Sequence, residues 1–131
     1  MGEKPGVIID TDILIKIYRG NKEHKHVLQY LSPNLIISCI TQMELLIGCN
    51  NKNTQDEVEE NLQSFKILGI NTPIISIAHG IIKKYSFSHK ISIADNFIAA
   101  TALFYSLELY TDNKKHFDFM EELTLFSPVT L

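Results

Sequence analysis

The sequence has little of what would build a protein by cross-links, spans or repeats. Two cysteines in 131 residues are too few for a disulfide framework or a zinc set. Cys39 falls in an apolar stretch expected to be a strand, and Cys49 ends an apolar helix. Both therefore read as small buried hydrophobes, and a reducing cytoplasm is the expected compartment. No run approaches the roughly 20 apolar residues of a membrane span. The opening Met1-Gly-Glu-Lys-Pro-Gly6 is polar, unlike a signal peptide, and Gly6 stands where myristoylation needs Ser or Thr. No internal repeat, linker or low-complexity segment interrupts the chain. A basic excess is also missing: 12 Lys and Arg stand against 15 Asp and Glu, a net charge of −3. That argues against gripping nucleic acid by bulk charge.

What is present is a core. At 45% apolar and 21% charged, the composition is that of an ordinary globular chain. The length is close to the commonest for one compact unit, so residues 1–131 are read as a single domain. The cations gather locally, at Lys16, Arg19, Lys22 and Lys25, at Lys83-Lys84 and at Lys114-Lys115. Basic rims around an acidic centre suit an enzyme that works on a polyanion through metal ions; solvated helix faces would look the same.

Strand and helix patterns alternate along the chain. Gly6 to Asp10 is a short apolar run of the kind buried on both faces, followed by an apolar helix start from Ile13 to Tyr18. A helix is expected from Glu23 to Leu31, then a turn at Ser32-Pro33-Asn34 and a second buried strand from Leu35 to Ile40. Thr41 is expected to open a helix ended by Gly48. Thr54-Gln-Asp-Glu57 has the form of a capping box and predicts a helix from Gln55 to about Phe65. A short strand from Lys66 to Ile70 follows, then a helix with Pro73 in its first turn that runs to about Tyr85. Ser92 caps a helix too apolar all round to lie on a surface. Leu107 to Thr111 and Leu123 to Phe126 are the last expected strands. Apolar strands alternating with helices call for an α/β fold, a parallel sheet covered on both faces.

In such a sheet function collects beyond the carboxyl ends of the strands, and acids fall there. Asp10 and Asp12 end the first strand, Glu44 follows the second, Asp95 opens the buried helix, and Asp112 ends the strand from Leu107. Carboxylates gathered from distant parts of a chain repel each other unless cations lie between them. Oxygen ligands without a Cys or His set favour Mg²⁺ or Mn²⁺, ions that activate water and stabilise charge on a phosphoryl group. A plainer account exists for two of these acids. Thr41-Gln-Met-Glu44 and Ser92-Ile-Ala-Asp95 both match a capping box, and Asp12 has the placement of a helix cap. The histidines add little: His24, His26 and His89 are expected to be exposed and His79 partly buried.

Four segments together resemble the PIN-domain family. Val7-Ile-Ile-Asp-Thr-Asp-Ile-Leu-Ile15 is similar to its first block, an apolar strand ending in Asp-Thr. Ile37-Ser-Cys-Ile-Thr-Gln-Met-Glu-Leu-Leu-Ile-Gly48 resembles the second, Ile91-Ser-Ile-Ala-Asp-Asn-Phe-Ile-Ala-Ala-Thr-Ala102 the third, and Leu109-Tyr-Thr-Asp-Asn-Lys-Lys-His-Phe117 the fourth. The resemblance implies a three-layer α/β/α domain around a parallel sheet of four or five strands, and a metal-dependent ribonuclease site at its carboxyl edge. Asp10, Glu44 and Asp95 would be the core acids, holding Mg²⁺ or Mn²⁺. Thr11 and Thr111 would orient the first acid and a metal-bound water, and Asn113 matches the family's Asn. The single-domain length resembles VapC toxins, which implies an RNA substrate, a small antitoxin and a homodimer. Other readings are a PIN nuclease of RNA processing without an antitoxin, and a flavodoxin-like module that signals through one Mg²⁺. The strand from Lys66 ends in Gly-Ile-Asn, without the acceptor Asp that such a signalling module needs.

One position departs from the pattern: His116 stands where many members carry a fourth acid. Asp112, four residues earlier, is the remaining candidate for a fourth metal ligand. Neighbours on an extended chain point to opposite faces, so if Thr111 turns inward Asp112 turns away. Asn113 or water would then complete the shell, and His116 would be free to meet a phosphate.

Overall fold

The computed structural model describes residues 6–128; the polar opening before Gly6, read above for targeting signals, lies outside the described residues. Four strands of three residues each form the sheet: β1 (Val7–Ile9), β2 (Ile36–Ser38), β3 (Lys66–Leu68) and β4 (Glu108–Tyr110). All neighbours run parallel, in the order β3-β2-β1-β4. Helices α1 (Thr11–Tyr18), α2 (Lys22–Leu31), α3 (Cys39–Ile47), α4 (Lys52–Asn61), α5 (Thr72–Tyr85) and α6 (Ile93–Phe104) fill the connections.

Alternation along the strands splits the core in two. Ile8 and Leu109 pack with Ile74, Ala78 and Ile81 of α5 and with Ile98 to Ala100 of α6. Val7, Ile9, Ile37 and Tyr110 face the other way, against Ile13 and Leu14 of α1, Val27 of α2 and Leu45 of α3. Helices on both faces of a parallel sheet make the three-layer α/β/α arrangement. Ile8, Ile9, Ile37 and Leu109 are wholly buried, each contributing about 1.5–3 kcal/mol of apolar transfer.

The boundaries show which local signal won. The second strand stops at Ser38 instead of running to Ile40, because the Ser38 hydroxyl accepts the Ile40 N–H at 3.0 Å and starts α3 at Cys39. Cys39 is thus a helical residue, and both cysteines are half-buried rather than core residues. Asn51, not Thr54, caps α4 by accepting the Thr54 N–H at 2.8 Å, so that helix begins at Lys52. The stretch from Leu123 to Phe126 adds no fifth strand. It touches β4 through a single parallel bridge, Leu109 to Leu125, and the sheet has four strands. In α5, Ile74 and Ile81 are buried while Ile75 stays half exposed. No described helix is long and apolar enough to cross a membrane.

Candidate active site

The strand order turns back between β1 and β4, so the connections leaving these two strands depart in different directions and open a crevice at their carboxyl ends. Asp10 follows β1 directly. Its N–H donates to the Tyr110 carbonyl at 2.9 Å, extending the ladder by one bond, and its carboxylate caps α1 by accepting the Thr11 N–H at 2.8 Å. The second carboxylate oxygen accepts the Thr111 hydroxyl at 2.8 Å. Asp12 lies beside this pair; it accepts the Asp112 N–H at 3.0 Å. Burial first, and the Asp12 charge second, push the Asp10 carboxyl up to about 8, against the lowering effect of its bonds from Thr111 and Thr11. Asp12 is therefore more than a cap: it loads the neighbouring acid with charge and pins the loop after β4.

Glu44 enters from α3. The Thr11 hydroxyl donates to Glu44 Oε1 at 2.7 Å and lies 2.9 Å from the hydroxyl of Thr41, which is wholly buried. Ser38 already caps this helix, so Thr41 and Glu44 do not form the capping box their spacing suggests. One residue, Thr11, fixes two acids, Asp10 through its N–H and Glu44 through its hydroxyl. Asp95 lies in the first turn of α6, where the Ser92 hydroxyl accepts its N–H at 3.1 Å, as expected of a cap. Its carboxylate reaches across the crevice to His116 Nδ1 at 2.9 Å. His116 thus meets an acid of the site. Among the described residues, no three His, Cys, Asp or Glu side chains converge as a preformed metal centre.

Asp112 is engaged elsewhere. Its carboxylate accepts Lys16 Nζ and faces His24 Nε2, both at 2.6 Å. Burial raises its pKa, but the hydrogen bonds from Lys16 and His24 outweigh that and leave it below the ordinary value. The turn of Thr111 toward Asp10 and of Asp112 away from it follows the two-faced geometry of an extended chain. Asn113 is exposed and contributes its N–H, which donates to the Thr111 hydroxyl at 3.0 Å. His24 was expected in solvent, yet its side chain is 13% exposed, because Nδ1 meets the hydroxyl of buried Tyr110 at 2.6 Å. Burial, then the charges of Asp112 and Asp12, hold the Tyr110 hydroxyl up to about 12, so it stays protonated, and His24 bridges it to Asp112. His79, expected partly buried, is exposed on α5. Replacing His24 by Ala is expected to lower stability by about 1 kcal/mol, the lower end for stranding a buried hydroxyl, because solvent can reach the gap. Urea unfolding checks this; an unchanged midpoint would mean the His24 bridge contributes nothing.

Hydrogen bonds thus link Asp10, Asp12 and Glu44 through Thr11 and Thr111, with Thr41 beside Thr11, while the Asp95 carboxylate meets His116. The PIN-domain family model matches residues 7–121. The chain belongs to the PIN-domain family. Membership sets aside the flavodoxin-like signalling module. The chain is 32% identical over 120 residues to "Ribonuclease VapC10" of Mycobacterium tuberculosis, covering 89% of this chain and 90% of that one. It is 30% identical over 126 residues to "Ribonuclease VapC1" of Methanocaldococcus jannaschii, covering 94% and 87%. Among solved structures, a toxin-antitoxin complex from Klebsiella pneumoniae superposes with a TM-score of 0.78 at 30% identity, covering 90% of this chain and 95% of that one. Within this PIN domain, sequence reasoning missed the role of His24 and read Thr41, three residues ahead of Glu44, as the start of a capping box. Thr41 thus carried a signal. His24 carried none, since its partners lie 86 and 88 residues away.

Proposed function

We propose that the protein is a metal-dependent endoribonuclease, the toxin of a toxin–antitoxin pair, acting in the cytoplasm. One observation carries the reading: a buried acid with both oxygens fixed and its proton held by burial and a neighbouring carboxylate, at the crevice of a PIN domain. That is the electrostatic condition a cation relieves. The donors are hard oxygens, which fit Mg²⁺ or Mn²⁺ better than zinc. Asp10, Glu44 and Asp95 would hold the ion. When bound, it supplies activated water and neutralises charge on the phosphoryl group. Thr111 and the Thr11 N–H keep the Asp10 carboxylate from rotating, and the Thr11 hydroxyl does the same for Glu44. Asp10 gives up its proton as the cation loads, so loading releases protons and tightens as pH rises. Asp95 must leave His116 to join the others.

The names of the two relatives support RNA as the substrate, and the complex from Klebsiella pneumoniae supports a small protein antitoxin as the partner. Purified protein with Mn²⁺ is expected to cleave single-stranded RNA, and EDTA to stop it. Cleavage undiminished by EDTA would end the metal-dependent reading.

We also infer a homodimer. Met43 and Ile47, one turn apart on α3, are 49% and 83% exposed, and Ile75 and Ile93 are 51% and 63% exposed. Met43 and Ile47 share one face of α3, and an exposed apolar face of that kind favours pairing with a second copy. Light scattering at tens of micromolar, without antitoxin, is expected to give twice the chain mass; a monomer mass would count against the pairing.

A further inference from the structure

A groove of about 550 Å³ opens beside Glu44, between α1, the end of α3 and α4. Its volume lies within the roughly 300–1,000 Å³ of small-molecule sites. Leu45 and Val58 give it an apolar floor, while Tyr18, Arg19 and Glu57 stand in its walls. Arg19 and Glu57 carry opposite charges and neither is ion-paired among the described residues, where the salt bridges join Lys16, His24, Lys52, Lys84 and His116 to other acids. Two unneutralised charges of opposite sign around an apolar floor ask for a ligand with an anionic end, a flat apolar body and a donor.

We propose that this groove is a nucleotide subsite, seating the nucleotide next to the scissile phosphate and favouring a base with an exocyclic amino group. The inference rests on the ribonuclease reading above. Glu44 belongs both to the groove lining and to the acids, so the groove adjoins them. The Arg19 guanidinium, last in the wall that α1 provides, pairs with a phosphate oxygen. Tyr18, 44% exposed, offers a ring for the base to stack on, the usual way single-stranded RNA is read. The Glu57 carboxylate in the lining repels a phosphate, whereas the amino group of cytosine, adenine or guanine can donate to it. Uracil has no such group.

The test uses a panel of short labelled single-stranded RNAs, identical except for the nucleotide beside the cut, cleaved by the full chain with Mn²⁺. Wild-type protein is expected to cut amino-bearing substrates at least tenfold more efficiently than the uracil substrate. Glu57→Gln should shrink that ratio to within threefold, and Arg19→Gln should weaken all substrates at least tenfold, more in KM than in kcat. Wild-type cleavage with a profile that neither substitution alters would overturn the subsite. Variants that leave cleavage alone but escape inhibition by the co-expressed antitoxin would also overturn it, making the groove the partner's seat. If wild-type protein cuts nothing in the panel, the ribonuclease reading fails. The subsite is then read by fluorescence anisotropy of the same RNAs without metal: a tenfold loss of binding in Arg19→Gln supports it, and equal binding refutes it.

Discussion

Replacing Asp95 by Asn is expected to lower RNA cleavage at saturating Mn²⁺ at least a hundredfold, and replacing Asp112 by Asn less than tenfold. The contrast follows from what each carboxylate touches. Asp95 opens α6 and its carboxylate bonds His116 among the described side chains, so that carboxylate is available to a cation once that contact parts. Asp112 is held by Lys16 and His24, and drawing it to the site would strand both. A tenfold rate change corresponds to about 1.4 kcal/mol of transition-state stabilisation. Asp112→Asn weakens one partly exposed ion pair, an interaction of about 0–1 kcal/mol, and disturbs the loop carrying Thr111. Asp95→Asn removes an anionic ligand, which a hard cation does not replace with an amide at equal strength. The cap account of Asp95 makes the opposite forecast, about 0.5–2 kcal/mol of stability lost with activity kept. The structure weakens that account, since the Asp95 carboxylate bonds His116 and does not fold back on the start of its own helix. Rates measured side by side decide: equal losses would make Asp112 a ligand, and full activity in Asp95→Asn would remove Asp95 from the chemistry.

The layered fold was legible because the evidence for it is local. Apolar runs such as Val7-Ile-Ile9 say parallel strand, and Gly20, at a φ of +99°, ends α1 where its sequence says a helix stops. Helix starts were less legible because hydroxyls and amides compete to cap. Ser38, Thr41, Asn51 and Thr54 are all good caps on paper, and the winners, Ser38 and Asn51, are those whose own backbone is extended. The acids were legible as a set, each at a strand end or helix start. Their pairing was not. Thr11 bridging Asp10 to Glu44, and His24 bridging Tyr110 to Asp112, depend on side-chain directions across layers that no short-range pattern encodes. The same holds for His116, where a departure from the family's usual acid hid a contact with Asp95.

Replacing Asp10 by Asn is expected to abolish cleavage and yet to stabilise the metal-free protein at pH 7.5, by on the order of 1 kcal/mol or more. Asn keeps the cap: its carbonyl accepts the Thr11 N–H, and Asn ranks with Asp at that position. Its amide donates to the Thr111 hydroxyl, which turns its own proton toward Asp12 at 3.5 Å. What the substitution removes is a charge that the fold disfavours. The folded pKa of Asp10, near 8, lies above the unfolded value of about 3.9, so between these limits the native state binds more protons than the unfolded chain. Its contribution to stability is therefore complete below about pH 4 and is lost as pH rises toward 8. One pKa unit corresponds to about 1.4 kcal/mol, which makes even a fraction of this shift measurable. Wild-type stability in EDTA should fall between pH 5 and 8 relative to Asp10→Asn, whose curve should lack that slope. Mn²⁺ should reverse the order, because binding only the native state at a hundred times Kd adds about 2.7 kcal/mol to the wild type. Urea titrations at pH 5 and 8, with and without Mn²⁺, separate the two contributions. Asp10→Asn less stable than wild type in EDTA at pH 8 would mean that the Thr11 and Thr111 bonds outweigh burial, leaving Asp10 an ordinary helix cap.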